Sequence, residues 1–230
     1  MLKIRKLTIK ADKLLVDFSN SLTVNSTLAL IGQSGSGKSL TLKAILNLLP
    51  SNLKVNFQYE SDFKLNSKNI SFIPQNPFTS LSPLTKIKKQ FFCNDEVMEQ
   101  MCKMVGLDIE ILNRFPSQLS GGQLQRVVIA IAISSKPKLL LLDEPTTALD
   151  ASMKRHIVEL LIKLQKELNI MMLFVTHDIS SVFEICEDIA ILKDGYIVEE
   201  GKLTTVIANP KEDYTKELIQ SNFKNREFRI

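Results

Sequence analysis

The sequence predicts an α/β fold organised around a parallel sheet buried on both faces. Three observations predict it. A glycine-rich turn at residues 32–39 follows an apolar strand and opens a helix, and all-apolar runs such as Leu139 to Leu142 alternate with helical periods. The third is the stretch from Asn76 to about Ser135, which carries helical spacing without a strand period. Crossover helices cover both faces of a parallel sheet, so its strands are continuous apolar runs and not alternating ones.

Taken in order, Leu2, Ile4, Leu7 and Ile9 alternate as a half-buried strand, and Leu14 to Leu22 and Thr27 to Ile31 are expected to be strands too. A helix is expected from near Ser39, with Leu42, Ile45, Leu46 and Leu49 on one face. It should stop at Pro50, which lacks a backbone donor. Residues 51–69, rich in Asn, Ser and Lys, form an irregular surface connection with room for an edge strand, and Ile70 to Pro74 is a short buried strand. Helices are then expected over Ile87 to Phe92, Val97 to Val105 and Gln123 to Ile133, with breaks at Pro77, Pro83, Gly106 and Pro116. Strand Lys138 to Asp143, helix Ala151 to Leu168 and strand Ile170 to Val175 follow. That helix carries Ile157, Leu160, Leu161, Leu164 and Leu168 on one stripe. No internal repeat or low-complexity segment is present.

A chain of 230 residues suits one domain, or one domain with an inserted lobe. Hydrophobic residues at 44% and charged residues at 23% exclude the disordered, collagen-like and coiled-coil classes. The net charge of +4 is too mild to imply a nucleic-acid partner. The densest basic stretch, Lys86, Lys88 and Lys89 beside Phe91 and Phe92, is the solvated face of an amphipathic helix. Cys93, Cys102 and Cys186 are unevenly spaced and have no neighbouring His, so they build neither a disulfide framework nor a zinc site; they are expected to be reduced and buried. The longest apolar run, Val127 to Ile133, is too short to cross a bilayer, and the N-terminus has no signal core.

Gly32-Gln33-Ser34-Gly35-Ser36-Gly37-Lys38-Ser39 fits the phosphate-binding pattern G-x-x-x-x-G-K-[ST], placed between strand and helix as the pattern requires. Its glycines let successive amides point at phosphate oxygens, and the positive helix end adds attraction. Lys38 is placed to reach the β- and γ-phosphates and Ser39 to coordinate Mg²⁺. Asp143 and Glu144 end a buried strand, where open α/β sheets bind ligands. Asp143 suits a Mg²⁺-holding role and Glu144 the polarisation of attacking water. His177 emerges from the next strand and could meet a γ-phosphate, whereas His156, beside Lys154 and Arg155, is a surface residue. No serine or cysteine sits in a recognisable nucleophile arrangement, so acyl transfer has no support. Leu119-Ser120-Gly121-Gly122-Gln123 supplies a second serine/glycine loop at a helix start, and so a second anion-binding helix end.

With these motifs the chain resembles the ATP-binding cassette ATPases. The phosphate loop, Gln75, the LSGGQ signature, LLLLDEP, the Ala148-Leu149-Asp150 loop and His177 occur in that family's order and cover nearly the whole chain. The resemblance implies a P-loop NTPase (RecA-like) parallel-sheet core with an N-terminal antiparallel β subdomain and an inserted α-helical subdomain. Residues 1–75 and 136–230 would form the nucleotide-binding core of a single domain, and residues 76–135 the helical signature subdomain. It further implies that two cassettes pair head to tail around ATP and Mg²⁺. Ser120, Gly121, Gly122 and Gln123 would then contact the γ-phosphate of the partner's nucleotide, while Lys38, Ser39, Gln75, Asp143, Glu144 and His177 serve the chain's own, and Asp150 would be a further nucleotide-binding residue. One departure concerns the base: the family's early aromatic for adenine stacking is missing, since Thr8-Ile9-Lys10-Ala11 stands where it is expected.

Forty-five positions separate Gln75 from Ser120, too few for the long coiled-coil arms of chromosome ATPases, and the chain has one cassette, not two. The expected role is therefore the nucleotide-binding subunit of a membrane transporter at the cytoplasmic face of the inner or plasma membrane. Its expected partners are a homologous, different ATPase chain and two integral-membrane permeases, with a solute-binding protein acting indirectly and no nucleic acid. A soluble, non-transport ATPase of the family is the rival reading. Gln75 through Pro83, and Asn209-Pro210 through Tyr214-Thr215 to Leu218, are similar to importers of dipeptides, oligopeptides and nickel. Phe78, Leu81 and Leu84 either dock a permease helix or fill the helical lobe. Ile230 lies sixteen residues past Tyr214, where peptide importers are often longer; together with the adenine region this points to nickel or a metal chelate, with peptides as the alternative.

Overall fold

The structure is a computed structural model in which residues 1–19, 21–147 and 149–223 are described. In chain order its strands and helices are β1 (Leu2–Lys10), β2 (Leu14–Phe18), β3 (Leu22–Val24), β4 (Thr27–Ile31), α1 (Lys38–Ile45), β5 (Lys54–Ser61), β6 (Ile70–Ile73), α2 (Pro77–Ser80), α3 (Asp95–Met104), α4 (Gly121–Ser134), β7 (Leu139–Asp143), α5 (Ala151–Leu168), β8 (Met171–Thr176), β9 (Asp188–Lys193), β10 (Tyr196–Lys202), α6 (Leu203–Ala208) and α7 (Asp213–Phe223). The chain divides into two compact units, residues 1–65 with 171–230, and residues 66–170.

In the first unit, β1 is the centre of an antiparallel sheet, pairing with β2, β3 and, along almost its whole length, β5. Leu2 and Ile4, then Leu7 and Ile9, are fully buried; each pair keeps the period of two, and the register shift against β5 between Ile4 and Lys6 resets the alternation, so that Arg5 and Lys6 are exposed in succession. A second sheet places β4 between β8 and β9, parallel to both, and β10 pairs antiparallel with β9. All five residues of β4 are buried, the pattern of a strand covered on both faces. In the second unit, β6 and β7 pair in parallel, and α4 packs against α2, α3 and β6. Leu139 to Leu142 have no solvent exposure.

The structure corrects some of the expected elements. The single strand expected over Leu14 to Leu22 is two strands, β2 and β3. The edge strand for which the polar connection after Pro50 leaves room is present: it is β5, eight residues long, because β1 offers it an open line of backbone partners. The helix expected to run to Pro50 ends at Ile45. Asn47 takes a left-handed conformation (φ 55°), and the amides of Asn47 and Leu48 donate to the carbonyls of Ala44 and Lys43 at 3.1 and 2.8 Å. That pair of bonds is a Schellman closure with asparagine where glycine is usual. The stretch expected as a helix over Ile87 to Phe92 is a short 3-10 turn, Ile87–Gln90, with Lys88 and Lys89 exposed. Cys102 and Cys186 are free and buried, and burial pushes the Cys102 thiol up to about 11 and that of Cys186 well above its usual value; Cys93 is only half-buried. Among the described residues, no helix is long and apolar enough to cross a membrane.

The closure at Asn47 gives a stability test. Asn47→Ala should lower the unfolding free energy by about 1 kcal/mol in urea titration, because a Cβ-bearing residue without a local side-chain hydrogen bond is penalised in the left-handed region, whereas Asn47→Gly should leave it unchanged. Equal stability of Asn47→Ala and the unmodified chain would contradict this assignment.

Candidate functional site

Parallel register brings the first group of site residues together. Ile31 of β4 lies opposite Thr176 of β8, so the residues that follow, Gly32 and His177, leave the sheet at one edge. The turn after Gly32 is closed by backbone hydrogen bonds: Ser36 N–H donates to the Gln33 carbonyl at 3.2 Å, and Gly195 N–H, from the turn between β9 and β10, donates to the Ser36 carbonyl at 3.0 Å. Gly37, at φ 107°, is the N-cap of α1, and a Cβ on Gly32 would lie 2.2 Å from the Leu192 carbonyl oxygen. The cradle therefore exists only because these positions have no side chain. Lys38 is buried, and its Nζ donates to the carbonyls of Gly32 and Gln33 at 2.7 and 2.9 Å, which holds the ammonium across the mouth of the loop. The hydroxyl oxygen of Ser36 is buried without a protein partner, while Gln33, Ser34, Gly35 and Ser39 are exposed. A glycine-rich turn at a helix N-terminus, with a buried lysine and an unmatched buried hydroxyl, suits a polyphosphate.

The second unit uses the same device. Ile73 of β6 lies opposite Leu142 of β7, so Gln75 and Glu144, each two residues further on, emerge side by side. Gln75 Nε2 donates to Glu144 Oε2 at 3.2 Å, and Thr147 Oγ1 donates to the same oxygen at 2.9 Å. Glu144 adopts a left-handed backbone (φ 46°), a conformation that costs about 1 to 3 kcal/mol for such a residue and persists only where its surroundings hold it. Asp143, the last residue of β7, is half-buried. Within this unit Gln75 and Asp143 offer an amide carbonyl and a carboxylate, oxygen donors of the kind that hard cations take.

Ser120, Gly121, Gly122 and Gln123 open α4. Ser120 Oγ accepts the Gln123 amide at 3.3 Å and Gln123 Oε1 accepts the Ser120 amide at 3.0 Å, a reciprocal capping box that commits the Gln123 side chain to the helix end. Asp150 caps α5 in turn, accepting the Met153 amide at 2.9 Å. A Cβ on Gly122 would lie 2.4 Å from Met153 Sδ, so the signature turn and the start of α5 are in contact. Ala148, which precedes this cap, lies outside the described residues. The Phe78 ring stands 3.7 Å from where a Gly121 Cβ would be, and is 57% exposed; Leu84 is 88% exposed, whereas Leu81 is buried. His156 is exposed, as expected.

Two contacts were missed by reading the sequence. Thr147 holds Glu144, and its only signal is its position three residues later, on the next turn of backbone. Met153 fills the space over Gly122, which no spacing rule marks.

Comparison with known proteins identifies the family. A family described as ABC transporter matches residues 15–147. The chain is 36% identical over 233 residues to the uncharacterized ABC transporter ATP-binding protein YejF of Escherichia coli, covering 89% of this chain but only 44% of YejF. It is 34% identical to the oligopeptide transport ATP-binding protein OppD of Lactococcus lactis, covering 93% of the chain and 71% of OppD. It is also 34% identical to the metal-staphylopine import system ATP-binding protein CntD of Staphylococcus aureus, covering 97% and 94%. Among solved structures, cbiO1 from Clostridium perfringens, part of the transporter complex cbiONQ, superposes with a TM-score of 0.78 at 25% identity over 97% of this chain and 95% of its own. The fold is the P-loop NTPase fold of those ATPases, and the chain belongs to the ABC transporter family as the ATP-binding domain of a transport ATPase.

Proposed function

We propose that this chain energises a membrane importer, binding MgATP at its own phosphate loop and completing a second site on a partner cassette. The observation that carries this reading is the presence of two anion-binding helix ends of different chemistry, Gly37 and Lys38 at α1 and Ser120 at α4. One contains a buried lysine and the other has no charged residue in its first turn, as expected if they grip opposite sides of the nucleotide in a head-to-tail pair. In this reading residues 76–135 form the helical signature subdomain, and residues 1–75 and 136–230 the nucleotide-binding core.

Lys38 and the loop amides that follow Gln33 hold the phosphates, and Ser39, Gln75 and Asp143 would hold Mg²⁺, which would supply positive charge against that developing on the transferred phosphoryl group. Glu144 orients and polarises water, and the amide of Gln75 and hydroxyl of Thr147 on Glu144 Oε2 keep its carboxylate aimed. His177, leaving the sheet beside Gly32, contacts the γ-phosphate side. Ser120, Gly121, Gly122 and Gln123 serve the partner's site, and Asp150 is a further nucleotide-binding residue. The partner is a homologous, different chain beneath two permeases on the cytoplasmic face of the membrane, and a solute-binding protein delivers the solute. Exposed Phe78 and Leu84 support a permease contact on the helical subdomain.

For the solute, the reading is nickel or a metal chelate, supported by the likeness to the metal-staphylopine import protein. Peptides are the second reading, supported by an equal identity to the oligopeptide protein. Uptake of radiolabelled nickel and of a labelled dipeptide, by source cells carrying Glu144→Gln at normal chain levels, separates them. Loss of nickel uptake alone is expected, loss of dipeptide uptake alone would establish the second reading, and retention of both would contradict the importer role for these solutes.

Two substitutions test the site. Lys38→Ala should weaken MgATP binding at least about tenfold, measured by titration with a fluorescent nucleotide, since it removes a charged hydrogen-bond donor. Glu144→Gln should keep MgATP binding within about twofold yet lower turnover of the assembled transporter by about a hundredfold or more, because the amide keeps shape and loses charge. Turnover at the normal rate would remove Glu144 from the reaction.

A further inference from the structure

The tail segment from Asn209 to Leu218 resembles that of one importer group, yet none of the motifs described above uses it. Its structure ties it to the phosphate loop. The amide of Gln33, the second residue of the loop, donates to the hydroxyl oxygen of Tyr214 at 3.1 Å, across 181 positions of sequence. The carbonyl of the same residue accepts Lys38 Nζ at 2.9 Å and the Ser36 amide at 3.2 Å. Both polar groups of the Gln33 backbone are thus engaged, one inside the loop and one by α7.

Tyr214 is itself held firmly. It is 9% exposed, and Lys193 Nζ lies 4.9 Å from its ring centroid, within cation–π range. Just ahead of α7, the amides of Lys211 and Glu212 donate to the two carboxylate oxygens of Glu199 at 3.0 and 3.1 Å. Burial pushes Glu199 up, but these amides and the Lys211 charge outweigh it, so the carboxyl is held below its ordinary value and is ionised at neutral pH. Towards the other end of α7, Asn222 Oδ1 accepts the amide of Ile179 at 3.0 Å, two residues past His177. Helix α7 is therefore pinned at both ends, and its hydroxyl contact with the loop is fixed in space.

We propose that Tyr214 is a positioning residue for nucleotide binding, its hydroxyl fixing the Gln33 peptide so that the loop amides that follow are arranged before a phosphate arrives. A loop set in advance loses less conformational freedom on binding, and affinity rises accordingly. The residue touches no phosphate and acts through Gln33. This proposal rests on the nucleotide-binding reading of the phosphate loop, and the experiment separates the two.

Tyr214→Phe keeps the ring and its packing and removes only the hydroxyl. In the full chain, titration with MgADP and MgATP should show Kd raised about fivefold for both, the factor carried by one hydrogen bond of ordinary strength, with the thermal midpoint of the nucleotide-free protein within about two degrees. By amide-resolved NMR, the Gln33 amide of the unmodified protein should exchange with solvent more slowly than that of Gly35, and Tyr214→Phe should erase the difference. Unchanged Kd in a folded Tyr214→Phe chain would overturn the proposal. If the variant does not fold, the unmodified protein still decides: a Gln33 amide exchanging as fast as Gly35 overturns it, and a protected one supports it. Failure of the unmodified chain to bind either nucleotide, with Lys38→Ala no different, would instead overturn the underlying reading.

Discussion

Parallel strands deliver the loops at their ends to one edge only if their registers agree, and in this chain the agreement can be read residue by residue. Ile31 lies opposite Thr176 and Ile73 opposite Leu142. The first pairing sets Gly32 beside His177, and the second sets Gln75 beside Glu144. A slip of one residue in either pair would turn every side chain of the moved strand to the other face of the sheet, placing the apolar runs Thr27 to Ile31 or Leu139 to Leu142 out of step with their covering helices. Because these strands are buried on both faces, packing and pairing specify the register together, and the chemistry at the strand ends inherits it.

On that frame, the site is built largely from backbone. The turn proposed to hold phosphates is closed by the Gly32 and Gln33 carbonyls on Lys38, and the signature turn is a capping box made of Ser120 and Gln123. Such groups are fixed before any ligand binds, so they need no reorganisation when charge develops. The one catalytic candidate in a strained conformation is Glu144, and two neighbours grip the same oxygen of its carboxylate. Backbone strain at an aimed carboxylate is expected where a side chain must leave a strand at an angle that relaxed geometry does not supply.

Much of this was legible in the sequence, for reasons that differ by element. The cores of β4, β7 and β8 were legible because burial on both faces leaves an uninterrupted apolar run, and α5 because eighteen residues carry a clean helical stripe. The phosphate loop and signature were legible because their glycines and serines answer to local backbone geometry. What was hidden depended on partners distant in sequence or on backbone exceptions. Strand β5 was legible only as room for an edge strand, since no residue of it is buried; its bounds come from pairing with β1. The early end of α1 turns on Asn47 accepting a left-handed conformation, while Pro50, the obvious stop, lies beyond it. Contacts such as Thr147 with Glu144 and Met153 with Gly122 follow from how turns pack, which composition does not encode.

The central claim is that the turn at residues 32–39, presented at the end of β4, is where this chain holds its nucleotide phosphates. Amide hydrogen exchange across the whole chain, with and without MgADP, tests it most directly. Protection on binding should concentrate in residues 34–40, with a smaller effect around His177. Protection confined to other segments, with residues 34–40 exchanging unchanged, would contradict it.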